Sequence, residues 1–127
     1  MTSPLFLYFR HSRLRHSLIC DHHGAISHLW ERECTIQRRN QKLIEVAPSP
    51  SLGDALRMRI IDAAKELAAA ANYDNLGTFE FLVDNDARVS DQAFAFIEAN
   101  PRLQVEHTVT EEVLGIDLVQ SQLAVAA

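Results

Sequence analysis

Polar residues of mixed charge stand at alternate positions in the stretch FIEANPRLQVEHTVTEE, residues 96–112. They follow an apolar run that is typical of the end of a buried strand, and in order they are Glu98, Asn100, Arg102, Gln104 and Glu106. Burying unpaired charge is unfavourable. We therefore expect these side chains either to face water as an ordinary loop or to converge on a charged group that is not part of the chain.

Another carboxylate, Glu80, lies between Phe79 and Phe81 and points away from both rings if the segment is a strand. The two-residue period of the next strand predicts one shared face for Phe94, Phe96, Glu98 and Asn100. Antiparallel pairing can bring Glu80 and Glu98 together, where two desolvated carboxylates repel. A divalent cation would relieve that repulsion, and oxygen ligands with an added Asn100 carbonyl suit Mg²⁺ or Mn²⁺. The alternative is that one glutamate sits at a solvated sheet end and the other pairs with an arginine.

The segment after Pro101 presents a guanidinium, an amide and a carboxylate in alternation, on Arg102, Gln104 and Glu106. Such a set could hold a small anion and handle its proton. A solvated loop with self-paired charges is the alternative.

A basic run, QRRNQK (residues 37–42), has no aromatic neighbours. It indicates either a solvated face or an anion contact in which Lys42 supplies a point charge. The stretch CDHHG (residues 20–24) predicts a turn, because no second ligand pair stands at zinc-site spacing. The sequence contains no GxSxG, P-loop or GxGxxG motif.

The composition is that of one globular domain: 127 residues, 47% of them hydrophobic and 23% charged. A net charge of −5 argues against a general nucleic-acid binder. No apolar stretch approaches the roughly 20 residues needed to span a bilayer, so we expect no membrane partner. Cys20 and Cys34 favour reduced thiols and a cytoplasmic location.

The first twenty residues contain Arg10, Arg13 and Arg15 but no acidic residue. This start could be an organellar transit peptide or a poorly ordered terminus.

Patterning predicts an α+β fold. An apolar stripe that includes Leu56, Ile60 and Leu67 predicts a helix over 52–71, alternation predicts strands over 77–84 and 92–100, and a last helix is expected from residue 116.

Three segments carry a resemblance to a known family: ERECTIQRRNQKLIEVAPSP, GTFEFLVD and FIEANPRLQVEHTVTEEVLGIDLVQSQLAVA. In this order they resemble the biotin carboxylase component of biotin-dependent carboxylases, which is an ATP-grasp enzyme. Its relatives include acetyl-CoA, propionyl-CoA and pyruvate carboxylases. The resemblance covers residues 20–127 and implies the C-terminal part of an ATP-grasp domain, with an antiparallel sheet and packed helices.

The resemblance implies a reaction in which ATP phosphorylates bicarbonate to carboxyphosphate, which yields the CO₂ that carboxylates biotin. It implies metal ligands for Mg²⁺ or Mn²⁺ at Glu80, Glu98 and Asn100, with both glutamates also facing ATP. Nucleotide contacts are implied for Gln37 and Asn40, although Asn40 stands where many members have histidine.

The same resemblance implies the bicarbonate site. Arg102 would hold the anion and stabilise developing charge, and Glu106 would be the general base. Lys42 would contact bicarbonate and the transferring phosphoryl group, while Gln104 and the backbone of Val105 would help to hold the anion. The implied partners are ATP, bicarbonate and a biotin carboxyl carrier protein or domain.

Residues 1–19 do not match the family, and the loop between Glu80 and Glu98 is longer than its usual tight turn. We expect from this a disordered start or a truncated or shifted reading frame, and a chain that lacks the remainder of the enzyme and is inactive alone. Two alternatives stay open: a segment of another ATP-grasp ligase such as carbamoyl-phosphate synthetase, and a non-catalytic fragment.

Overall fold

A computed structural model of the protein describes residues 11–39, 41–85 and 94–127. Its centre is an antiparallel sheet of four strands: β1 (His11–Cys20), β2 (Ile26–Glu33), β5 (Asn75–Asp84) and β6 (Phe94–Asn100). They lie in the order β2-β1-β5-β6. A separate two-stranded ribbon pairs β3 (Gln37–Arg38) with β4 (Gln41–Lys42).

Three helices complete the described part of the chain: α1 (Asp54–Ala70), α2 (His107–Leu114) and α3 (Leu118–Ala126). This confirms the predicted α+β class and places the long helix within its predicted range of 52–71. None of these helices is both long and apolar enough to cross a bilayer.

The hydrophobic core lies between α1 and one face of the sheet. Apolar residues of β1 and β5 alternate toward the helix, and the buried cluster is Leu14, Leu18, Cys20, Leu52, Leu56, Ile60, Ala64, Ala68, Phe79, Phe81 and Val83. Gln104, just before α2, and Thr110, within α2, contact side chains of the opposite face. The opposite face is therefore the one that positions the polar residues.

The N-terminal expectation is wrong for residues 11–19. They form most of β1, which pairs with β2 on one side and with β5 on the other and is therefore a central strand. The signal is a two-residue alternation, in which Leu14 and Leu18 face the core while Arg15 and Ser17 face the polar side. Residues 1–10 lie outside the described residues.

A β-bulge in β6 changes the predicted face of two polar residues. Glu80 stands opposite Glu98, but the next residue of β5, Phe81, stands opposite Phe96, so Ile97 is an extra residue in β6. The predicted shared face of Phe96 and Glu98 is therefore wrong. The bulge sends the ring toward Phe81, with centroids 5.7 Å apart, and sends the carboxylate to the other face beside Glu80. Residues 86–93, in the loop between Glu80 and Glu98, lie outside the described residues.

Candidate functional site

Two glutamates meet on the polar face of the sheet, as the sequence predicted. Glu80 and Glu98 are direct cross-strand partners in β5 and β6. Asn100 links them, because its Nδ2 lies 3.2 Å from Oε1 of Glu80 and 3.3 Å from Oε1 of Glu98. Their environments differ sharply, since Glu80 is buried and Glu98 is exposed.

Glu80 has a cationic partner within the chain. Nη2 of Arg15, the residue directly opposite it in β1, forms an ion pair with its Oε1. Side-chain exposure is 6% for Arg15 and 1% for Glu80, so the ion pair is desolvated. This is the arrangement that the sequence analysis gave as the alternative to a metal site: one glutamate solvated and the other paired with an arginine.

The three predicted metal ligands do not fit a divalent cation as they stand. Arg15 already neutralises Glu80, and Asn100 turns its amide NH₂ toward both carboxylates where a ligand would offer its carbonyl oxygen. Across the described ranges, no group of three or more His, Cys, Asp or Glu side chains is placed to hold a metal ion.

Gln104 is a buried hub between two guanidinium groups. Its Oε1 accepts from Nη1 of Arg15 at 3.3 Å and from Nη2 of Arg32 at 3.1 Å. These two donors fix which end of the amide is the oxygen. Its Nε2 group then has no acceptor among the described residues, which leaves it able to donate to a ligand oxygen.

Arg32 anchors this hub from β2. The side chain is 1% exposed, and Nη1 donates to Ser17 Oγ at 2.8 Å and to Thr110 Oγ1 at 2.6 Å. Its Nε lies 3.4 Å from Oε1 of Glu45. Burial raises the pKa of Glu45, although Arg32 acts in the opposite direction. The contacts of Arg32 form a hydrogen-bonded polar layer between the sheet and α2.

Glu106 lies between two cations. Lys42 Nζ is 2.8 Å from its Oε1, and Arg15 Nη1 is 3.9 Å from its Oε2. The side chains of Lys42 and Glu106 are 24% and 28% exposed, so the pair is open to a ligand from solvent. A carboxylate held beside an ammonium group can accept a proton from a small acid while the ammonium binds the anion that forms.

The other predicted residues lie around this pair in different ways. Arg102 is exposed, and the polar contact of its guanidinium within the described chain is the Leu103 carbonyl at 3.3 Å. Val105 is 86% exposed. Gln37 stands opposite Lys42 in the β3–β4 ribbon and donates to the Cys34 carbonyl at 2.9 Å.

The structure thus brings Lys42, Gln104 and Glu106 together around Arg15, and Glu80, Glu98 and Asn100 beside them. Arg102, Val105 and Gln37 are not tied into this network, and Asn40 lies outside the described residues. The assigned roles of these residues stay predictions.

Sequence reasoning missed Arg15, which it placed in a poorly ordered start, and it did not single out Arg32. The alternation of Arg15 and Ser17 with Leu14 and Leu18 could have identified Arg15 as a strand residue. Nothing in the local sequence pattern indicates that Arg32 is buried.

The family described as carbamoyl-phosphate synthase L chain, ATP binding domain, matches residues 9–127. The chain belongs to this family. The match begins within the segment predicted to lie outside the family, which agrees with the position of β1 in the centre of the sheet.

Relatives and solved structures agree with the resemblance. The chain is 54% identical over 110 residues to the biotin carboxylase of Halalkalibacterium halodurans, covering 87% of this chain and 23% of that protein. It is 56% identical over 110 residues to the pyruvate carboxylase of Staphylococcus aureus, covering 87% and 9%. A biotin carboxylase structure from Campylobacter jejuni, in a complex named beta-gamma-ATP, superposes with a TM-score of 0.85 at 43% identity, covering 92% of this chain and 25% of that one.

These findings confirm the resemblance to biotin carboxylases and the identification of the fold as a piece of the ATP-grasp fold. The chain spans about a quarter of the biotin carboxylases and about a tenth of the pyruvate carboxylases that it matches.

Proposed function

We propose that the chain is the C-terminal part of the ATP-grasp domain of a biotin carboxylase, and that its polar cluster binds bicarbonate for ATP-dependent carboxylation of biotin. The observation that supports this most is the pairing of Lys42 with Glu106 at 2.8 Å beside the oriented amide of Gln104. Together they offer a cation, a proton acceptor and a neutral donor, which are the groups that a bicarbonate ion needs.

The reaction divides among these residues as follows. Glu106 takes the bicarbonate proton, so that a bicarbonate oxygen can attack the γ-phosphorus of ATP and ADP leaves. Lys42 balances the negative charge that passes from the nucleotide to carboxyphosphate. Gln104 Nε2 donates to the anion. The exposed Arg102 turns away from the Leu103 carbonyl and binds the opposite side of the anion.

Carboxyphosphate then breaks into CO₂ and phosphate. The N1' nitrogen of biotin, presented on a carrier protein or domain, attacks the CO₂ and gives its proton to the released phosphate. The carboxybiotin passes to a carboxyltransferase, whose acceptor is an acyl-CoA or a keto acid. The chain's own part is to position and stabilise the anion. A cytoplasmic location and nucleotide contacts from Gln37 and Asn40 belong to the same proposal.

Carbamoyl-phosphate synthetase is the second candidate, because the matching family carries that description. Both enzymes activate bicarbonate with ATP, so the site chemistry is shared and the acceptor differs. The relatives favour biotin: the biotin carboxylase match is 54% identical over 110 residues.

A chimera tests the proposal. The matched segment of this chain replaces its counterpart in the Halalkalibacterium halodurans biotin carboxylase, and phosphate release from MgATP is measured with and without bicarbonate and free biotin. We expect bicarbonate-dependent release that biotin stimulates and that Glu106→Gln or Arg102→Ala abolishes. Stimulation by ammonia with formation of carbamoyl phosphate would favour the second candidate.

The isolated chain is the companion sample. We expect it to bind bicarbonate without turnover, as a non-catalytic piece of the enzyme. The proposal would be contradicted by a folded chimera whose rate of phosphate release depends neither on bicarbonate nor on the two substitutions.

A further inference from the structure

We propose that Arg15 is a built-in cation that occupies Glu80 in place of a divalent metal ion, and that it keeps the Glu80–Glu98 pair from binding metal. The inference goes beyond the proposed function, and it concerns the cation site that the spacing of Glu80 and Glu98 predicts. It assigns to Arg15, in the central strand β1, the role of deciding whether a metal ion can bind at Glu80.

The backbone register fixes the ion pair. Arg15 and Glu80 are direct cross-strand partners in β1 and β5, the two inner strands of the sheet. Neither residue lies on a loop that could swing aside. The guanidinium therefore reaches the carboxylate from the neighbouring strand, and the ion pair needs no movement of the backbone.

Buried contacts also hold the guanidinium from the other side. Nη1 donates to Oε1 of Gln104 at 3.3 Å, and the same oxygen accepts from the buried Arg32 at 3.1 Å. Nε is buried and has no acceptor within the described residues, so the Nη atoms alone fix its position. A metal ion bound at Glu80 would have to displace Arg15. The other carboxylate paired with Arg15 among the described residues is that of Glu106, at 3.9 Å from Nη1.

The residues around Glu80 show what Arg15 prevents. Glu98 stands directly opposite on β6 and is exposed, and Asn100 bridges the two carboxylates. With Arg15 removed, two carboxylates would face each other without a counter-ion, and a rotated Asn100 amide would add a carbonyl oxygen. That ligand set suits Mg²⁺ or Mn²⁺.

Titration with Mn²⁺ alone, followed by the loss of the free-ion signal in electron paramagnetic resonance, tests the inference on the full chain. The samples are the wild type, Arg15→Gln, Arg15→Lys, Glu98→Gln and the double variant Arg15→Gln/Glu98→Gln. We expect Arg15→Gln to raise Mn²⁺ affinity at least tenfold, or about 1.4 kcal/mol. Arg15→Lys, which keeps the charge, should leave the affinity near that of the wild type.

The double variant identifies the site, because adding Glu98→Gln should cancel the gain. In the wild-type background Glu98→Gln should change Mn²⁺ affinity less than twofold. Equal affinity of the wild type and Arg15→Gln would overturn the inference. So would a gain that survives in the double variant, since the metal would then bind elsewhere.

Arg15→Gln leaves Glu80 buried without a full counter-charge and could unfold, which circular dichroism would reveal. In that case the wild type and Glu98→Gln decide, because Glu98 is exposed and its substitution spares the core. Unchanged affinity supports the blocked site, and a clear loss shows that the pair binds metal despite Arg15. No ATP, bicarbonate or biotin is present, so failure here leaves the carboxylase proposal standing, and failure of the chimera leaves this result standing.

Discussion

Glu80 and Glu98 face each other across the β5–β6 ladder. Arg15, which stands opposite Glu80 on β1, is paired with the buried Glu80 and not with the exposed Glu98. The bulge at Ile97 is what allows this meeting, since it turns Glu98 away from the face of Phe96. One sheet face thus carries a hydrophobic core and the other a row of charges. The strand that ends in polar groups is explained by partners within the protein and by an anion that the remaining groups can bind.

Replacing the predicted base tests the Lys42–Glu106 pair. Because Glu106→Gln cannot take up the bicarbonate proton, bicarbonate-dependent phosphate release by the chimera should fall by about 10²–10⁴-fold. The pair is partly exposed, so the free energy of unfolding should change by less than about 1 kcal/mol. Glu112→Gln, an exposed neighbour in α2, is the control and should keep full activity. Equal loss in both variants would remove Glu106 from the mechanism.

The buried arginine of β2 should be structural. Arg32→Met removes the hydrogen bonds that Arg32 donates to Ser17, Gln104 and Thr110. It should lower the free energy of unfolding by about 3–5 kcal/mol in a urea titration. Arg38→Met, at an exposed position of β3, should change it by less than about 0.5 kcal/mol. Similar effects of the two substitutions would mean that the polar layer contributes little to stability.

A buried histidine should make stability depend on pH. Burial, with the charges of His28, Arg57 and Arg32, lowers the pKa of His16 from 6.5 to about 3. The unfolded chain therefore binds an extra proton between these values, and the contribution of His16 to stability is full above pH 6.5 and is lost as the pH falls toward 3. Its share of the loss between pH 7 and pH 5 is about 2 kcal/mol.

Urea titrations at the two pH values measure that loss. His16→Leu should remove about 2 kcal/mol of the difference between them, whereas the exposed His23→Leu should leave the difference as in the wild type. An unaltered difference in His16→Leu would show that other groups cause the pH dependence.

The contact between α1 and the sheet should dominate the core. Ile60 is fully buried, so Ile60→Ala should destabilise the protein by about 2–5 kcal/mol through lost burial and a residual cavity. Met58→Ala, on the 46% exposed side chain two residues earlier, should cost less than about 1 kcal/mol. Thermal unfolding of the two variants compares them directly, and equal shifts would argue against this packing of α1.

Local patterns were sufficient for the elements with strong periodicity. The apolar stripe that includes Leu56 and Ile60 predicted α1, and the alternation around Phe79 and Phe81 predicted β5, because both periods follow from the geometry of the backbone. The meeting of Glu80 with Glu98 was also predicted, but in the structure it depends on the bulge in β6 and not on the period alone.

The rest depended on contacts between distant segments. One extra residue, Ile97, reversed the faces in β6, and no composition signal marks a bulge. Arg15 looked like part of a basic terminus because its partners Glu80 and Gln104 lie 65 and 89 residues away along the chain. Tertiary pairing, which the sequence pattern does not contain, decides which charges of the site are already neutralised.

Bicarbonate binding by the isolated chain is the most direct test of the proposed site. Bicarbonate is titrated into isotope-labelled protein, and the backbone amide signals are followed by NMR, with Lys42→Met as the test variant and Lys65→Met in α1 as the control. The proposal predicts shifts at Lys42 and at residues 104–107 that disappear in Lys42→Met and persist in Lys65→Met. An absence of shifts at these residues, or shifts that survive Lys42→Met, would contradict it.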